Sequence, residues 1–155
     1  MKKINTTKVE KIISTYQYRI KDSNAKLVNA LFLHSGSVNF VWNYCNDIQQ
    51  KAISFRRPWH TSFDLNHLTS GSSKELNLHS QTVQAVCEEY AKKRSQFNKP
   101  FLRFRTNKRN SNLPWIPFKA TALKVDSKGT FSFMGLKLKT WYSRELPKNA
   151  VIKTG

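Results

Sequence analysis

The sequence is short of acid, cysteine and glycine: nine Asp and Glu, two Cys and five Gly in 155 residues. The shortage of acid bears first on catalysis, because two-metal nuclease chemistry needs clustered carboxylates. The acids are Glu10, Asp22, Asp47, Asp64, Glu75, Glu88, Glu89, Asp126 and Glu145, and they form no D-x-D or D-x-G. Most of them fit caps, turns or exposed helix faces. His34, His60, His67 and His79 are scattered without H-x₃-H or H-E-x₂-H spacing. No catalytic residues, metal site or cofactor are therefore expected. Cys45 and Cys87 lie far apart with no CxxC context, which argues against a disulfide scaffold and a cysteine-rich zinc site and fits a reducing cytosol. No run of about 18 apolar residues is present, so no membrane span is expected. The opening MKKINTTKVEKII lacks the apolar core of a signal peptide.

Base is abundant. The 27 Lys and Arg give a formal charge of +18 and a pI near 10.2, while 39% apolar and 12% aromatic residues are enough for a folded core. Self-repulsion at this charge disfavours the compact state unless an anion neutralises it. No acid occurs between Glu89 and Asp126, yet Lys92, Lys93, Arg94, Lys99, Arg103, Arg105, Lys108, Arg109, Lys119 and Lys124 fall there. A solvated face kept for solubility is the plain alternative. The asymmetry favours nucleic acid, whose phosphates release counterions on neutralisation. An anionic membrane fits less well, because the bases are interleaved with Trp, Tyr, Asn and Pro rather than set on one amphipathic helix.

Residues 11–21 (KIISTYQYRIK) read as a strand. Asp22 or Ser23 can cap a helix carrying Leu27, Ala30 and Leu31, which Gly36 ends or bends. Val38, Val41, Cys45, Ile48 and Ala52 form an apolar stripe on a second helix ending near Phe55, and Cys45 is simplest as a core hydrophobe. A basic loop, RRPWHTS (56–62), follows, then a short helix around 64–69 and the connector TSGSSKE. Ser80 can cap a fourth helix whose buried side is Val83, Val86, Cys87, Tyr90 and Phe97, bounded by Pro100. Beyond it, short strands are expected near 101–105, 115–118, 122–125, 130–134, 136–141 and 149–153, with turns at Lys128-Gly129 and Met134-Gly135. The chain finishes on Thr154-Gly155 without a tail, which suggests a module boundary.

Several residues stand out as contacts. Trp59, with Arg56 and Arg57, sits in a basic loop without apolar neighbours, which favours stacking on a base or ribose. Trp42 divides between core edge and surface. Trp115 and Trp141 lie in strand patterns and are expected in the core. Phe101 and Phe104 are expected to face a barrel while Arg103 and Arg105 face solvent. Gln84 points away from the Val83–Val86–Tyr90 stripe, one turn after Ser80 and two before Lys92. A glutamine amide can bond adenine at two points in the major groove. A solvated helix face is the alternative.

These segments resemble the N-terminal half of the TnpB (OrfB-type) proteins of bacterial insertion sequences, RNA-guided nucleases related to type V CRISPR effectors. YRIKDSNAKLVNALFLHSGSVNFVWNYC (18–45) is similar to the family's strand, first helix and R-[FV]-x-[YW]-N helix start. LHSQTVQAVCEEYAKKRSQF (78–97) resembles its S-Q-x-[LV]-Q helix, and FLRFR (101–105) its P-R-F-[KR] strand. NLPWIPF and ELPKNAVIKTG resemble the strands preceding the nuclease domain. The likeness spans roughly 13–155. Leu102 stands where the family has proline. The RuvC-like domain's D-x-G, later carboxylates and four-cysteine zinc element are absent, so the resemblance is to the recognition half alone.

The expected fold is α+β: a small antiparallel β-barrel (WED-like) from 11–21 plus 100–155, interrupted by a helical, helix-turn-helix-like recognition insertion (REC-like) at 22–99. The expected function is recognition of guide RNA and of a short target-adjacent motif in duplex DNA, without cleavage, in the bacterial cytosol. A nuclease domain would come from the remainder of the protein or another chain. Ser80, Gln81, Gln84, Arg56, Arg57, Trp59 and Lys119 are the candidate DNA contacts. Arg19, Lys92, Arg94, Arg103, Arg105, Lys108 and Arg109 are the candidate RNA or phosphate contacts. A stand-alone DNA-binding repressor and a general RNA-binding protein are the alternatives.

Overall fold

The computed structural model describes residues 13–21, 24–106, 115–147 and 150–155. In chain order these form β1 (Arg19–Ile20), α1 (Ala25–Ser54), α2 (Ser62–Leu68), α3 (Ser72–Glu75), α4 (Ser80–Gln96), a 3-10 turn (Ala120–Ala122), β2 (Leu123–Ser127), β3 (Thr130–Phe133) and β4 (Leu136–Trp141). The class is α+β.

The two helices expected on either side of Gly36 are one helix of 30 residues. A glycine costs about 1 kcal/mol in a helix interior. Here His34, Ser35, Val38 and Asn39 around it are all buried, and tertiary packing outweighs that cost. The cap is Asn24, whose side chain accepts from Leu27 N at 2.8 Å. Asp22 and Ser23 lie outside the described residues. α1 stops as expected at Phe55, its C-cap. Arg56 follows with φ +54, and the amides of Arg56 and Arg57 return to the carbonyls of Ile53 and Ala52. This paired closure usually takes glycine at the left-handed position. α2 opens on a capping box between Thr61 and Asp64, and these hydrogen bonds hold the Asp64 carboxyl below its usual range. α3 is a single turn inside the expected connector. The cap of α4 is His79, whose Nδ1 accepts from Gln81 N at 3.2 Å, so Ser80 is the first helical residue instead.

The apolar stripes meet as their spacing predicts. Val38, Val41 and Cys45 of α1, Leu65 of α2, and Val83, Val86, Cys87 and Tyr90 of α4 form one buried cluster. Burying each larger member contributes about 1.5–3 kcal/mol. Trp42 is also inside, edge-on to Tyr90 at 5.1 Å and to Trp115 at 6.1 Å. The Cys45 and Cys87 sulfurs lie 3.8 Å apart as free thiols. This contact and burial push the Cys45 thiol up, which keeps it protonated. Phe97, expected on the buried side, is the exposed C-cap of α4.

The sheet is antiparallel in the order β1-β4-β3-β2. Among the described residues it is open, with β1 and β2 as its edges, in place of the expected barrel. Of the strand expected over 11–21, only Arg19–Ile20 pairs among the described residues. The β3–β4 connection is Met134-Gly135, both at positive φ, as a two-residue hairpin turn requires. The expected strands at 101–105 and 115–118 carry no ladder among the described residues. Residues 150–153 likewise form no strand, although Thr154 bridges Lys119. The inner face of the sheet carries Phe131 and Phe133, and Tyr18 stacks on Tyr142 at 5.4 Å beside it. Met134, Trp115 and Ile116 tie this β module to the helical core.

Candidate nucleic-acid interface

The segment after α4 explains how its bases are divided. Residues 102–105 lie along α1, and side chains rather than a neighbouring strand satisfy the backbone of Leu102, Arg103 and Arg105. Asn46 Nδ2 donates to Leu102 O at 2.7 Å and Leu102 N donates to Asn46 Oδ1 at 2.8 Å. Asn43 makes the same pair of bonds with Arg105, at 2.9 and 2.7 Å. Trp42 Nε1 donates to Arg103 O at 3.1 Å. The clamp fixes which side chains turn inward. Leu102 packs on the core, and Arg105 lies between the Trp42 and Trp115 rings, 4.4 and 4.2 Å from their centroids. Burial lowers the Arg105 pKa. Phe101, Arg103 and Phe104 face outward and are exposed. The expected inside and outside are therefore reversed for Phe101, Phe104 and Arg105, and hold for Arg103.

Arg94 is corrected in the same way. It is 3% exposed and donates to Gln49 Oε1 and His60 O, with its guanidinium 5.2 Å from the Trp59 ring. Burial lowers its pKa too. Gln49, fully buried, also accepts from His60 N at 3.0 Å. Arg94 thus holds the 56–60 loop against the ends of α1 and α4, and is no surface phosphate contact. Arg56 and Arg57 remain exposed on that loop, and Trp59 is 39% exposed.

On α4, Ser80, Gln84 and Lys92 are exposed along one side. Between them, Glu88 pairs with Lys119, and Gln81 Oε1 accepts from Thr121 Oγ1 at 3.0 Å. Gln81, Gln84 and Lys119 are thus brought together where the β module meets α4. Gln81 and Lys119 are engaged there, while Gln84 stays open. The 56–59 loop lies near the other end of α4, about 20 Å away by helix rise. Lys108 and Arg109 lie outside the described residues.

Arg19 is placed somewhere different again, on the outer face of the sheet. Register puts Arg19 opposite Trp141, Thr130 opposite Lys139, and both Lys124 and Lys137 opposite Ser132. Trp141, expected in the core, is 56% exposed, with Lys21 Nζ 4.9 Å from its ring centroid. The signal was in Leu136–Trp141 (LKLKTW): the parity that exposes Lys137 and Lys139 also exposes Trp141.

The described acids are largely engaged locally. Asp47 pairs with Lys51 at 2.8 Å, Glu89 with Lys93 at 3.3 Å, and Glu145 with Lys128, while Asp126 accepts from Ser132. Among the described residues, no three His, Cys, Asp or Glu stand together to hold a metal ion. No helix in the described residues is long and apolar enough to cross a membrane. Comparison with protein-family models, with curated proteins and with solved structures finds no match to this chain.

Proposed function

We propose that this chain is the nucleic-acid-recognition module of a TnpB-like RNA-guided protein, acting in the bacterial cytosol. One observation carries the reading. The strand before the helices hydrogen-bonds to the last strand after them, so the helical block is inserted into a β module. That is the arrangement the TnpB resemblance implies, with the sheet as part of a WED-like barrel and α1–α4 as a REC-like insertion. The charge supports it: local partners occupy several acids, and Arg56, Arg57, Lys92 and Arg103 stay exposed. Guide RNA would be held by backbone and shape. A short DNA motif would be read by Gln84, with Gln81 and Lys119 beside it. Base pairing would read the target, as in RNA-guided effectors generally. Cleavage would require a nuclease domain from elsewhere.

The test is to purify the chain and sequence the nucleic acid that accompanies it. A discrete RNA, with motif-selective duplex binding that Gln84→Ala lowers by about 1–3 kcal/mol for that motif alone, supports the reading. RNA-free protein with sequence-specific duplex binding would make it a stand-alone DNA-binding protein. Similar affinity for many structured RNAs would make it a general RNA-binding protein.

A further inference from the structure

We infer that the outer face of the sheet is a binding surface for unpaired RNA, with Trp141 as the platform on which a base stacks. The inference rests on the function proposed above in naming RNA as partner, and it assigns a surface that Gln84 and the 56–59 loop do not share.

Strand alternation places Lys137, Lys139 and Trp141 on one side of β4. Arg19 lies directly across from Trp141 on β1. Lys124 joins them two strands away, through Ser132. Among the described residues the acid reaching this face is Asp126, which accepts from Ser132 and keeps its single negative charge against the five bases Arg19, Lys21, Lys124, Lys137 and Lys139. Beside Trp141 a shallow groove of about 710 Å³ is lined by Gln17, Tyr18, Arg19, Trp141 and Ser143. A tryptophan more than half exposed among bases is unusual, because burying it would contribute more than most side chains do. A flat π surface inside a basic field matches a single strand, whose unstacked bases need a ring and whose phosphates need cations. A duplex offers no free base face. The Lys21 ammonium over the indole would trade the ring for a phosphate as the base arrives. The amide of Gln17 and the hydroxyl of Ser143 supply neutral donors and acceptors of the kind a ribose 2′-hydroxyl takes, which selects RNA over DNA.

The test measures binding of a fluorescent unpaired RNA of about 12 nucleotides, the DNA strand of the same sequence, and a DNA duplex, over a salt series. Trp141→Ala should weaken the unpaired RNA about tenfold at unchanged salt slope. Trp141→Phe should recover most of that loss. Trp141→Leu, which keeps an apolar strand residue without a π face, should not. Lys137→Ala with Lys139→Ala should reduce the slope by about 0.7 per charge removed. None of these changes should alter duplex binding. If the intact chain binds no RNA, both this inference and the proposed function fall. If it binds RNA and Trp141→Leu matches the parent, this inference alone falls. Equal affinity for the DNA strand would overturn the choice of RNA.

Discussion

The side-chain amide of Asn46, fully buried in α1, exchanges two hydrogen bonds with the backbone of Leu102, 56 residues further along. Its oxygen also accepts from Tyr90 Oη at 2.8 Å. One carboxamide therefore joins α1, α4 and the segment beyond it. Burial pushes the Tyr90 phenol up to about 12, so it stays a donor at neutral pH.

Asn46→Ala should leave the Leu102 amide and carbonyl and the Tyr90 hydroxyl without that partner. The expected loss is on the order of 3 kcal/mol, since a buried group left unpaired costs about 1–3 kcal/mol. Asn46→Asp keeps the acceptor but loses the donor and adds a buried charge, and should also destabilise. Urea unfolding of both variants measures this; a loss under 1 kcal/mol for Asn46→Ala would mean the clamp is dispensable.

Substitution should separate the arginines of the basic stretch. Arg103→Glu should unfold at nearly the parent urea midpoint and weaken nucleic-acid binding. Arg105→Glu and Arg94→Ala should lower the midpoint before any binding is measured, because both guanidiniums sit among internal partners. For Arg94→Ala the expected cost is about 2 kcal/mol, from the unpaired His60 carbonyl and the lost ring contacts.

Arg56 holds a left-handed backbone position where glycine would be relaxed. Arg56→Gly should raise stability by up to about 1 kcal/mol while lowering affinity for duplex DNA. Stabilisation with unchanged affinity would remove Arg56 from the interface.

His34 supplies a pH dependence. Burial holds its pKa below the usual 6.5, partly offset by a hydrogen bond with the Asn77 backbone. The unfolded chain protonates this group near 6.5, and the folded chain only at lower pH. Its contribution is therefore present above 6.5 and is lost as pH falls from there through the folded value. The urea midpoint should fall between pH 7.5 and 5.5, and His34→Gln should flatten that part of the slope.

The helical core was legible because its signal is periodic: Val38, Val41 and Cys45 are buried where their spacing put them. Gly36 misled, because local propensity says nothing of the buried residues flanking it. The segment 101–105 read as a strand because FLRFR mixes apolar and basic residues, yet it pairs with no strand among the described residues. What satisfies its backbone, Asn43 and Asn46, lies on another element and follows no short-range pattern. The same distance hides the fates of Arg94 and Arg105. An arginine reads as a surface charge until the amides and indoles that enclose it are placed around it. Gln84 and Lys92 needed only the phase of α4, and they are exposed as that phase required. The closed barrel depended on ladders that 101–105 and 115–118 do not make among the described residues.

The pairing of β1 with β4 has a consequence for the order in which the molecule assembles. Tyr18 Oη donates to the carbonyl of Arg144, 126 residues away, beside that pairing. Contacts of such separation raise contact order and slow folding, since the loop must close before they reward it. On the ribosome, α1 through α4 can meet around Val38, Leu65 and Tyr90 while the later strands are still being made. β1 must then wait, its pairing edge uncovered, until Trp141 has emerged. During that interval a polyanion gathering the bases on either side of the helical block would shorten the search, so such a partner would act on the rate of folding as well as on its endpoint.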